Sequence, residues 1–151
     1  MHKVERFIDE ICDYFNVNND YFGNILIAIT EAVDNAMQHG NGNVNGKLVT
    51  LEFEARDGKL CFSVKDEGDG FDFLNIKDPT DPTIEFTGQG KGIYLMQHLA
   101  DDIEFKENGR EVILKFSISS INNKVATARI EEFMKHIGKS QETARANDNL
   151  N

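Results

Sequence analysis

The chain reads as an α+β domain in which helices are layered on a sheet. Three observations predict this. Four segments have the apolar–polar alternation of half-buried strands and fall into two hairpins. Amphipathic segments of helical period stand before and between the hairpins. At 151 residues, one domain is the default, and a domain of about 150 residues buries roughly 70% of its unfolded surface without disulfide staples. Apolar helix faces and apolar strand faces of this kind bury one another as two layers.

The elements follow in order. Residues 3–15 predict a helix, with Val4, Phe7, Ile8, Ile11, Cys12 and Phe15 on one face. The Asn-rich stretch Asn16–Asp20 is a loop, with Asn19 or Asp20 as N-cap. A second helix runs from Tyr21 to Gln38 and buries Ile25, Leu26, Ile29, Val33, Ala36 and Met37. Gly40–Gly46 stops it and reads as a flexible link. Leu48–Ala55 is a strand with Leu51, Phe53 and Ala55 inward. Arg56-Asp-Gly-Lys59 is a hairpin turn, and Leu60–Lys65 returns with Leu60, Phe62 and Val64 inward. Phe71–Thr87, with two prolines in Asp78-Pro-Thr-Asp-Pro82, is a loop of the length that serves as a functional lid or is disordered. Gly92–Ala100 is a helix. Asp102–Glu107 and Arg110–Ser119 form a hairpin about Asn108-Gly109, with Val112, Leu114, Phe116 and Ile118 inward. This predicts one domain over residues 1–120, a helix within 121–137 carrying Val125, Ala128, Phe133 and Ile137, and a polar tail, 138–151, expected to be disordered.

Composition narrows the function. No apolar run is long enough to span a bilayer, and the N-terminus lacks a signal-peptide core, so no membrane role is expected. Cys12 and Cys61 read as buried free thiols of a reducing cytoplasm. Residues 121–151 hold five Lys/Arg against four Asp/Glu, a net +1, so the first 120 carry −11 of the overall −10. That surface repels nucleic-acid phosphates. It suits a basic protein partner, and equally well plain solubility.

Three motifs carry chemistry. Asp66 ends a strand and opens Asp66-Glu-Gly68-Asp-Gly70. A carboxylate there can accept from an adenine amino group, while Gly68 and Gly70 let backbone approach the ligand. Taken alone, the same residues also make a plain acidic turn. Gly88-Gln-Gly90-Lys-Gly92 runs into a helix, where free backbone N–H groups and the helix dipole favour phosphate, with Lys91 adding charge. Its other reading is a flexible tether. It is neither a dinucleotide fingerprint, since no strand directly precedes it, nor a P-loop, which needs Gly-Lys-Ser/Thr. Glu31 and Asn35 stand at i and i+4 on one helix face, with His39 one turn on. An Asn oxygen suits Mg²⁺, which binds few protein ligands besides waters and phosphates. A Glu one turn away can take a proton from a hydroxyl. A solvated polar face would look the same. Together, in this order, the three motifs read as one ATP pocket.

These residues resemble the GHKL ATPase superfamily and, within it, the bacterial anti-sigma-factor serine/threonine kinases. The N-box is matched by Glu31-Ala-Val-Asp-Asn35-Ala-Met-Gln-His39-Gly40, the D-x-G-x-G box by Asp66–Phe71, and the last glycine box by Gly88–Met96. Asp78–Pro82 looks like the family's lid, and Leu99–Phe105 like the stretch after the last box. Gln89 stands where many close relatives have Arg. The resemblance covers about residues 4–119. It implies a two-layer α/β sandwich of the Bergerat type, a mixed sheet covered on one face by helices. It implies that Asp66 accepts from adenine and that Gly68 and Gly70 shape the adenine wall. Gly88, Gly90, Lys91 and Gly92 would hold the phosphates, Asn35 would ligate Mg²⁺, and Glu31 would be the general base.

The expected function is therefore an ATP- and Mg²⁺-dependent serine/threonine-protein kinase acting as an anti-sigma factor in transcription regulation. Its substrate would be a small antagonist protein, its other partner a sigma factor, and its state a homodimer, with no direct contact to nucleic acid. The alternative is a non-catalytic, ATP-gated protein-binding module in which Glu31 is incidental. A detached histidine-kinase catalytic domain fits less well, because no histidine has the helical context of a phosphoacceptor.

Overall fold

The first helix, α1 (His2–Tyr14), carries a strict apolar stripe, and Val4, Ile8, Ile11 and Cys12 on it are buried. The computed structural model in which these elements are seen describes residues 1–75 and 89–118. The second helix, α2 (Asn19–Asn35), starts two residues before the expected Tyr21. Its N-cap is Asn18, whose side chain accepts the Tyr21 N–H at 2.9 Å, and neither Asn19 nor Asp20 takes that role. Polar Asn19 and Asp20 sit in the first turn, where an Asp favours the helix dipole. Instead of running regularly to Gln38, the helix widens at Ala36–Gly40 into a π turn closed by the Asn41 N–H to the Ala36 carbonyl at 2.8 Å.

Strands β1 (Thr50–Arg56) and β2 (Lys59–Lys65) form the expected hairpin. Its two-residue turn has φ of 53° at Asp57 and 73° at Gly58, the primed geometry that Asp-Gly favours. A third helix, α3 (Gln89–Leu99), crosses to β3 (Asp102–Lys106), which returns as β4 (Glu111–Ser117). The sheet order is β1-β2-β4-β3. The mixed sheet that the resemblance implies is, among the described strands, antiparallel in all three pairings. The reason is topological: β2 and β3 run parallel, but β4 is inserted between them.

The α+β layering is as expected. Helices cover one sheet face, and the core lies between the layers: Ile8, Ile11 and Phe15 below, Ile25, Ile29 and Val33 beside them, and Leu51, Phe53, Leu60, Phe62, Val64, Leu114 and Phe116 from the strands. Aromatic contacts tie α1 to the strands, Phe15 to Phe53 at 6.0 Å, Phe53 to Phe62 at 5.1 Å and Phe62 to Phe116 at 6.0 Å between ring centroids. The opposite face carries half-buried polar side chains, such as Ser63 donating to Glu111 at 2.6 Å and Lys115 reaching Glu104 at 3.5 Å. Both cysteines are free and buried, Cys12 in the core and Cys61 on the polar face. No helix among the described residues is long and apolar enough to cross a membrane. The expected lid lies mostly outside the described residues, with only Phe71–Asn75 seen, and the expected helix and tail beyond residue 120 lie wholly outside them.

Candidate functional site

Period-2 alternation in β2 puts Val64 inward, so the next residue beyond the strand, Asp66, emerges where the helix layer ends. Asp66 is only 8% exposed. Its Oδ1 accepts the Gly68 N–H at 2.8 Å, and its own N–H donates to the Arg110 carbonyl at 2.9 Å. Burial pushes its carboxyl above the ordinary Asp range, while the Gly68 N–H and the charges of Arg110 and Lys47 pull it back. Among the described residues, Oδ2 has no hydrogen-bond partner, which leaves one acceptor for a ligand donor.

The glycines of the first two motifs serve close approach. A methyl group at Gly40 would overlap the Asp66 carboxylate, and one at Gly68 would overlap the Gly40 carbonyl. Gly70 has φ of 84° and faces the Asn108 carbonyl, which accepts the Phe71 N–H at 2.9 Å. Thus the end of α2, the loop after β2 and the β3–β4 turn touch through backbone.

The third motif departs from expectation. The helix begins at Gln89, not Gly92, so Gly90, Lys91 and Gly92 lie within its first turn. Backbone N–H groups there have no intrahelical partner. Gly92 packs on α2: a methyl group there would lie 3.0 Å from Asn35 Nδ2, 3.1 Å from its Oδ1 and 3.1 Å from Glu31 Oε2. Glu31 and Asn35 therefore share a face, as their spacing requires, and that face meets the start of α3. Gly90 is half-buried, Lys91 is exposed, and Gly88 lies outside the described residues.

Between these segments is a pocket of about 510 Å³ of empty space, partly open to solvent. Asn35, His39 and Gly40 line it from α2 and the π turn, Asp66 and Gly70 from the loop after β2, and Ile93 and Met96 from α3. The wide turn brings His39 and Gly40 round to the same wall as Asn35. Glu31, Gly68, Gly90, Lys91 and Gly92 are not part of that wall; Gly68 packs against Gly40 and Asp66, and Glu31 against Gly92. An apolar slot with one unpaired carboxylate oxygen in its wall suits the edge and faces of a purine. Among the described residues, no three His, Cys, Asp or Glu side chains converge. A Mg²⁺ ion here would depend on the Asn35 oxygen, waters and phosphates, which is its usual habit.

Two residues were missed from sequence. Arg110 lines the pocket and is held by Glu107, whose carbonyl accepts Arg110 Nε at 3.3 Å. Lys65 donates to the same Glu107 at 2.7 Å and holds its carboxyl below the ordinary range. No spacing rule marks Lys65 and Glu107, which stand 42 residues apart. Asn41 is the other; it sits in the stretch read as a flexible link, yet it is 4% exposed and hydrogen-bonded on both sides of its amide.

Residues 1–116 match the family described as "Histidine kinase-like ATPase domain". The chain is 32% identical over 95 residues to a protein of Bacillus velezensis named "Serine-protein kinase RsbW", covering 59% of each chain. It is 33% identical over 91 residues to a protein of the same name from Staphylococcus aureus, covering 55% of this chain and 57% of that one. The chain thus spans little more than half the length of these relatives. Their alignment falls short of the whole, but the family match takes in every element that walls the pocket, and by it the chain belongs to the histidine kinase-like ATPase domain family.

Proposed function

We propose that the chain is an ATP- and Mg²⁺-dependent serine/threonine-protein kinase that acts as an anti-sigma factor and phosphorylates a small antagonist protein in the cytoplasm. The observation that carries this reading is that one pocket is walled by residues of the first two motifs and of the helix that the third motif opens. The relatives named serine-protein kinases support it. In this reading Asp66 accepts from the adenine amino group, with Gly68 and Gly70 shaping that wall. Gly88, Gly90, Lys91 and Gly92 hold the phosphates. Asn35 holds Mg²⁺, which when bound neutralises phosphate charge. Glu31 takes the proton as a substrate hydroxyl oxygen bonds to the γ-phosphorus and the β–γ bridging bond breaks, leaving ADP. Phosphoryl transfer asks mostly for positioning and charge stabilisation. The partners would be the antagonist and a sigma factor, and the working state a homodimer.

One observation favours a second reading, an ATP-gated binding module without catalysis: the Glu31 carboxylate abuts Gly92 and does not line the pocket. The test begins with capture of partners from native lysate in ATP or ADP, followed by transfer of γ-labelled phosphate to the captured proteins. Loss of a general base slows such transfer by about 10²–10⁴-fold. Glu31→Ala should then keep ATP affinity within about a few-fold and lose phosphotransfer. Intact transfer in Glu31→Ala would sink the mechanism, and nucleotide-dependent capture without any transfer by the wild type would put the binding module first.

A further inference from the structure

Asn41 and Asp66 are the only buried polar or charged side chains among the described residues. Asp66 has the pocket for a reason; Asn41 does not line it. Its amide is instead spent on two backbone segments. Nδ2 donates to the Leu48 carbonyl at 3.0 Å, and Oδ1 accepts the Glu67 N–H at 2.7 Å. Leu48 closes the ring by donating its N–H to Glu67 Oε2 at 2.7 Å. The Asn41 main chain is tied back to α2 through its N–H to the Ala36 carbonyl at 2.8 Å. One residue therefore joins the end of α2, the approach to β1, and the loop after β2.

Those are the two halves of the pocket. On one side of Asn41 is the helix that bears Glu31 and Asn35. On the other, Glu67 is flanked by Asp66 and Gly68. The planar amide offers a donor and an acceptor on two separate atoms; an aliphatic side chain would leave the Leu48 carbonyl and the Glu67 N–H unpaired. The backbone contact of Gly40 with Asp66 and Gly68, too close for any Cβ, lies immediately beside this ring.

We propose that Asn41 is a positioning residue that sets the separation between the Asp66 acceptor and the Asn35–Glu31 face, so that one nucleotide meets both at once. This rests on the nucleotide reading above. A ligand that spans both halves gains from their being held in register, because the second engagement is intramolecular once the first is made. A ligand that uses only the base half gains nothing from it.

The experiment is calorimetric titration of ATP with Mg²⁺, and separately of adenosine, into wild type, Asn41→Ala and Glu67→Ala, with folding checked by near-ultraviolet circular dichroism. Glu67 is exposed, so its loss loosens the same ring without leaving a buried group, and it removes a negative charge that would otherwise oppose phosphates. In Asn41→Ala, ATP affinity should fall by at least about 10-fold more than adenosine affinity. In Glu67→Ala the same preference should fall in the same direction, by less. Equal losses for both ligands would mean simple damage to the fold and overturn the inference, as would unchanged ATP affinity in both variants. If Asn41→Ala fails to fold, the Glu67→Ala ratio decides in the same way. Wild-type protein that binds neither ATP nor adenosine would overturn the nucleotide reading itself and this inference with it.

Discussion

Asp66 sets stability against binding. Its carboxyl is raised by burial, so the folded state holds its proton more tightly than the unfolded chain does. The contribution is fully present below the unfolded pKa and is lost as pH rises through the raised folded value. At neutral pH the charged form is therefore a cost to folding. Asp66→Asn should melt no lower than wild type at pH 7, and the difference should shrink as pH falls below the Asp range. The same change should weaken ATP by roughly 10- to 150-fold, since a hydrogen bond to a charged group contributes about 1.5–3 kcal/mol. Wild-type affinity in a folded Asp66→Asn would remove the residue from the site. Cys12 gives a second test at this scale. Burial, with a smaller effect of Asp9, pushes its thiol from 9.0 up to about 12. Its stability contribution is intact below pH 9 and lost between pH 9 and 12. Urea melts across that window should show a fall at high pH that is shallower in Cys12→Ala. A parallel fall in the two proteins would show that other groups control the alkaline limb.

Between elements, the decisive contact is α2 on α3. Helices usually pack with side chains between them, but at Gly92 the backbone of α3 meets the Glu31 and Asn35 side chains directly. Gly92→Ala puts a methyl group at 3.0–3.1 Å from those polar atoms. Overpacking of this kind costs about 1–3 kcal/mol. Relief of the glycine penalty within a helix offsets up to about 1 kcal/mol. Chemical denaturation should report a net loss, and ATP-dependent transfer should fall further than stability does, because the two displaced side chains are the proposed metal ligand and base. A variant as stable and active as wild type would show that the close approach is not needed.

For the molecule as a whole, ligand binding and folding are linked. If ATP binds only the folded state, ATP at 100 times its dissociation constant should add about 2.7 kcal/mol of stability. Thermal melts with and without Mg²⁺–ATP read this directly, and no shift at saturating ligand would count against the pocket. We also propose that the nucleotide domain ends near residue 120. A chain truncated after Ser120 should bind ATP as the full chain does, and a loss of affinity would assign part of the pocket to the segment beyond.

The sequence determined most of the local structure, because local structure depends on periodicity and turn chemistry. The stripe on α1, the alternation in β1, β2 and β4, and the Asp-Gly turn with positive φ at both centres all follow from neighbours a few residues apart. The pairing of Glu31 with Asn35 is of the same kind, since helix spacing alone puts them on one face. The tertiary structure decided the rest. No local rule inserts β4 between β2 and β3 and so makes the described pairings antiparallel. Nor could composition reveal that Asn41, in a stretch rich in Gly and Asn, is buried, because its partners Leu48 and Glu67 are 7 and 26 residues away. Arg110 reaches the pocket wall because the end of β4 lies beside that of β2. Side chains and carbonyls that meet across such distances are chosen by packing of whole elements, which is where the sequence alone stops being readable.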